Sequence, residues 1–125
     1  MRLLIDSHAL LWVLSNPRQL STDAQSALGD PVNERFVSVA ALWEIAIKVS
    51  AGKLSIPMAV DAAVVHSAAI PLAITIDHVK RVQTLPFHHR DPFDRMMIAQ
   101  AMEEGLTIVT RDRHFPAYGV PILVA

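Results

Sequence analysis

Short apolar runs recur along this chain at residues 2–6, 35–39, 72–76, 106–110 and 121–125, and segments of helical spacing separate them. Runs this short and this rich in Val, Ile and Leu read as buried strands. Strands alternating with helices require crossover connections, which make the sheet parallel and put helices on both of its faces. The expected fold class is therefore α/β, a three-layer α/β/α sandwich with a central, mostly parallel sheet, in a single domain over residues 1–125.

The intervening helices have recognisable ends. The first is expected from Ser7 to Leu14, stopping near Pro17, and the second over STDAQSAL, capped by Ser21 and ending at Gly29. A third runs from about Ala40 to a Gly52 cap, and a fourth across residues 58–69 between Pro57 and Pro71. The fifth covers Asp77 to Leu85, capped by Asp77, and the sixth opens on Asp91 and Pro92 and runs to Gly105. Residues 110–117 hold a turn or short helix.

In parallel sheets of this kind, ligands bind beyond the carboxyl ends of the strands. Asp6 and Asp112 follow predicted strands, while Glu44 and Asp94 fall in the first turns of predicted helices, so all four acids share that edge. Carboxylates about 5 Å apart repel by roughly 3 kcal/mol per pair at an effective dielectric near 20, so a cluster of four calls for a cation. Hard oxygen donors suit Mg2+, with Mn2+ as the alternative, and the chemistry such a cage supports is hydrolysis of a phosphodiester.

Each acid also has an ordinary explanation. Asp6 and Asp112 suit helix caps, Asp94 follows Asp91 in a capping-box position, and Glu44 precedes Lys48 by the spacing of a helical ion pair. Glu44 is nonetheless embedded in ALWEIAI, where a merely solvated carboxylate is out of place. Their convergence carries the argument. Ser7, Ser38 and Thr110 stand near enough in sequence to orient these carboxylates, and Arg95 and Arg111, each beside a cage acid, are candidates for holding substrate phosphates. His8 follows Asp6 without a clear role, and His88 and His89 read as loop residues. Trp12 and Trp43 read as core or interface packing, and the Leu10, Leu11, Leu14 stripe as core, a subunit interface or a groove for a partner peptide.

Composition limits the partners. A net charge of −1 and a pI near 6.6 exclude a global positive field, so nucleic-acid binding must rest on local basic patches. Those patches are Lys80–Arg81, the group His88, His89, Arg90 and Arg95, and the group Arg111, Arg113 and His114. The absence of cysteine excludes disulfides, thiolate metal sites and cysteine nucleophiles. With 52% hydrophobic and 18% charged residues, the chain is neither disordered nor a coiled coil, and so apolar a small domain is expected to cover surface in a homodimer. No apolar run has the length of a membrane span, and Asp6 interrupts the N-terminal one, so a cytoplasmic protein is expected.

The segments DSHALLW, SVAALWEIAIKVSAGKL, HRDPFDRMMIAQA and TRDRHF resemble, in order, the successive motifs of PIN-domain ribonucleases, especially the VapC-like toxins of bacterial toxin–antitoxin pairs. The resemblance covers nearly the whole chain. It implies a PIN-like fold, an RNA substrate, a cognate antitoxin, and Mg2+ or Mn2+ held by Asp6, Glu44, Asp94 and Asp112, with Asp91 as a helix cap or, alternatively, at the rim of the cage. Ala41 is a departure, standing where similar sequences often carry a hydroxyl. The competing function is a catalytically silent PIN-like scaffold that binds RNA or a protein partner. A receiver domain lacks support because Asp6 is followed by serine and no lysine follows residue 80, and the chain is too short for a DNA flap nuclease.

Overall fold

The computed structural model describes all of residues 1–125. Five strands, β1 (Arg2–Ile5), β2 (Glu34–Ser38), β3 (Ile70–Leu72), β4 (Thr107–Thr110) and β5 (Ile122–Val124), form one sheet in the order β3-β2-β1-β4-β5. Every neighbouring pair is parallel. The helices are α1 (Ser7–Ser15), α2 (Thr22–Gly29), α3 (Val39–Ser50), α4 (Val60–His66), α5 (Ile76–Thr84) and α6 (Pro92–Glu104), with single 3-10 turns at Pro17–Gln19 and Pro116–Tyr118. None is long and apolar enough to cross a membrane.

Two apolar layers enclose the sheet. Leu3, Ile5, Val37 and Val109 pack on one face with Ala9, Leu10 and Leu14 of α1 and Ala24 of α2. Leu4, Phe36 and Ile108 pack on the other with Met97, Ile98 and Ala101 of α6. This is the expected three-layer α/β/α sandwich. Strand order runs outward in both directions from β1 and β4, so the crevice at their carboxyl ends is the topological switch point.

Most helix ends fall where the sequence places them. Ser21 caps α2 and Asp91 caps α6, and Gly105 ends α6 in the left-handed region at φ 65°, where a side chain is strained. Two regions differ. β3 occupies Ile70–Leu72 rather than residues 72–76, and it includes Pro71, which an edge strand tolerates because one side has no ladder bond to lose. The chain then enters α5 early: Thr75, not Asp77, is the cap, in a reciprocal box where its hydroxyl accepts from His78 N–H and its own N–H donates to His78 Nδ1. The helix expected over 58–69 is trimmed to Val60–His66, since Ala59 supplies no side-chain cap.

Candidate functional site: an acidic crevice at the switch point

Each acid reaches the crevice by a local device. Asp6, only 4% exposed, caps α1 by accepting from Ala9 N–H at 2.8 Å, which turns the chain sharply as β1 ends. Burial raises its carboxyl above the usual range, opposed by the Thr110 hydroxyl and the Ala9 N–H. Asp112 follows β4, where its N–H donates to Thr110 Oγ1 at 3.0 Å and its Oδ1 accepts from His114 N–H at 2.8 Å. Burial works to raise the Asp112 carboxyl, but the backbone and ring hydrogen bonds to His114 together outweigh it and hold it below the usual range. Glu44 projects from α3, 8% exposed, with Ser7 Oγ donating to Oε1 at 2.5 Å and Lys48 Nζ to Oε2 at 3.2 Å. Both the orienting hydroxyl and the helical ion pair are present on this one carboxylate.

Asp94, in the first turn of α6, shows that the four act together. Burial, and then the charges of Asp91, Asp112, Glu44 and Asp6, push its carboxyl up to about 8. Four carboxylates within one field, with oxygen donors throughout, match a hard divalent cation in chemistry. As they stand the side chains form no closed ligand set, for no three carboxylates or imidazoles are disposed to hold an ion together. Asp6 and Asp112 also line a 260 Å³ pocket with His8, Trp12 and Arg111. There the Arg111 guanidinium lies 4.4 Å from the Trp12 ring centroid, and donates to the carbonyls of Ala125 and Gln19.

Sequence comparison places this architecture. A model of the PIN domain family matches residues 3–121. The chain belongs to the PIN-domain family. This PIN domain is 27% identical over 124 residues to Ribonuclease VapC22 of Mycobacterium tuberculosis, an alignment covering 94% of this chain and 92% of that protein. Its fold is similar to the crystal structure of VapBC2 from Rickettsia felis bound to a DNA fragment from their promoter, with a TM-score of 0.72 at 12% identity and 98% of each chain covered. It is also similar to DNA-bound VapBC from Salmonella typhimurium, with a TM-score of 0.71 at 15% identity over 98% of this chain and 97% of that one.

Several residues of this PIN domain sit otherwise than their sequence suggests. Arg95 is not available to a phosphate: it is 5% exposed, and its guanidinium donates to the carbonyls of Pro86 and Leu85 and to the Tyr118 hydroxyl while lying over the Phe87 ring. That expectation is corrected, and the side chain instead braces the loop ahead of α6. Ser38 does not orient a cage acid either; its hydroxyl accepts from Ala40 N–H and donates to Gln100 Oε1, both within the core. His89 is more than a loop residue. Its Nε2 lies 3.4 Å from Asp94 Oδ2, its ring stacks on that of His114 at 4.9 Å, and burial, then His114, push its imidazole below the ordinary value. The adjacent pair His88–His89 was a visible signal, yet nothing in it pointed to Asp94 rather than to solvent.

Proposed function

We propose that this PIN domain is a Mg2+- or Mn2+-dependent endoribonuclease that hydrolyses RNA phosphodiester bonds as the toxin of a toxin–antitoxin pair. The observation that supports the reading most is the setting of Asp94, whose carboxyl is pushed up to about 8 by burial first and then by the charges of Asp91, Asp112, Glu44 and Asp6 beside it. A chain gains nothing in stability from such crowding, and a cation beside a phosphate offsets it. The similarity to Ribonuclease VapC22 supports RNA as the substrate, and the VapBC neighbours support an antitoxin as partner.

In this reading Asp6, Glu44, Asp94 and Asp112 hold the ion. When bound, it supplies Lewis-acid polarisation of the phosphate and a water acidic enough to attack at neutral pH. The chain's own contribution is orientation. Ser7 fixes one oxygen of Glu44, leaving Lys48 on the other, while Thr110 serves both the Asp6 carboxyl and the Asp112 backbone. Arg111, which lines the same pocket as Asp6 and Asp112 and donates to two backbone oxygens, is the side chain we assign to a flanking phosphate. We also propose that a homodimer covers the 580 Å³ apolar groove lined by Trp43, Phe87, Phe93 and Met96, in which Trp43 is 60% and Phe87 79% exposed.

The open ligand set favours one competing reading, a silent scaffold that binds RNA or a protein without cutting. Incubation of a cellular RNA pool with purified protein and Mg2+ or Mn2+, beside an EDTA control and Asp94→Asn, separates the two. Metal-dependent cleavage lost in the variant is expected. Equal inertness of wild type and variant, in protein freed of antitoxin, would sink the nuclease and leave the scaffold.

A further inference from the structure

We infer that His89 is a positioning residue for Asp94, oriented by a one-way chain of donors from Arg95 through Tyr118; the inference rests on Asp94 serving hydrolysis. The Tyr118 hydroxyl has one proton to give and two lone pairs to accept with. Arg95 Nη1 donates to it at 3.1 Å and the backbone N–H of His89 at 3.3 Å. Because a guanidinium has no acceptor, the Tyr118 proton must point away from Arg95. Its nearest acceptor is His89 Nδ1 at 2.8 Å, against 3.4 Å to the His89 carbonyl.

A neutral imidazole that accepts at Nδ1 carries its proton on Nε2. That is the nitrogen 3.4 Å from Asp94 Oδ2. The contact is long, as such contacts often are before a substrate or ion draws the groups together. Arg95, the head of the chain, cannot swing away, since it is fixed by the Pro86 carbonyl at 2.8 Å and lies 4.1 Å from the Phe87 ring centroid. The His89 ring is fixed on a second side as well. His114 stacks on it at 4.9 Å with an interplanar angle of 8°, and the same His114 ring lies 2.8 Å from Asp112 Oδ1 through its Nδ1. The stacked imidazoles thus join the turn after β4 to the start of α6, and each contacts one cage acid. This assigns a job to three side chains, His89, Tyr118 and Arg95, that the acids alone leave unused.

Three measurements test the chain on the intact protein. Nitrogen-15 spectra of the metal-free wild type are expected to show His89 protonated at Nε2, and Tyr118→Phe to abolish that preference. His89→Ala is expected to lower kcat and Mn2+ affinity, read by calorimetry, by about 10- to 100-fold with little change in KM. His89→Gln, whose amide N–H reaches toward the Nε2 position, is expected to restore most of both, which a loss through misfolding would not allow. Wild-type kcat and Mn2+ affinity in a folded His89→Ala protein, or an Nδ1-protonated His89 in the wild type, would overturn the inference. A wild type that neither binds Mn2+ nor cuts RNA would instead remove the nuclease reading, and this role with it.

Discussion

Asp94 is a carboxyl group held where its charge is least welcome. Its ordinary value is 3.8 and its value in the fold about 8, so over that range the folded protein binds a proton that the unfolded chain releases. The contribution of Asp94 to stability is therefore complete below about pH 4 and is lost as the pH rises through about 8. Urea melts of metal-free protein from pH 4 to 9 should show falling stability in the wild type and a flatter profile in Asp94→Asn. Saturating Mg2+ or Mn2+ should raise the wild-type melting temperature and leave that of the variant unmoved; an unmoved wild type would count against the cage. That Asp6, Glu44, Asp94 and Asp112 share one neighbourhood was legible because each follows a strand or opens a helix at the same sheet edge, although each also has a local use of its own. Arg95 was misread because adjacent helical side chains point roughly 100° apart, so its nearness to Asp94 in sequence sends it toward the core instead. The tie between His89 and Tyr118 was hidden for another reason. Their pairing spans 29 residues, and neither position carries a local pattern that announces it.

At the scale of the element, ends were read more reliably than contents. Caps at Ser21, Asp91 and Gly105 obey short-range chemistry that tertiary packing did not disturb. The region from Ile70 to Thr84 went differently, because LAITI has the composition of a strand while its last residues are claimed by a capping box. His78 decides the matter. It is fully buried, bonded through Nδ1 to the Thr75 N–H and through Nε2 to Glu104 of α6, so the start of α5 is tied to the end of α6. Thr75→Ala should cost about 1 kcal/mol of stability by chemical denaturation. Asp77→Ala, at an exposed first-turn position, should cost no more than about 0.5 kcal/mol. The reverse order would restore Asp77 as the effective cap.

For the whole molecule, the exposed aromatic groove is the feature that composition anticipated and the fold localised. The groove lies between α3, α5 and the start of α6, where Trp43 meets Phe93 edge-on at 5.2 Å. Trp43→Glu should shift a dimeric wild type toward monomer in sedimentation velocity while leaving the melting temperature of the monomer within a few degrees. A wild type that is already monomeric at high concentration would show that the groove is not a self-interface.

The amino-acid sequence by itself determined the alternation of strand and helix, the parallel sheet, and the four acids that its strand and helix ends deliver to one edge, because these follow from periodicity, caps and the chirality of crossovers. Strand order, the burial that shifts Asp94, the inward turn of Arg95 and the donor chain through Tyr118 and His89 were decided only by tertiary structure. They depend on which side chains far apart in sequence share a low-dielectric space, and on how many hydrogen-bond partners remain there for each to use.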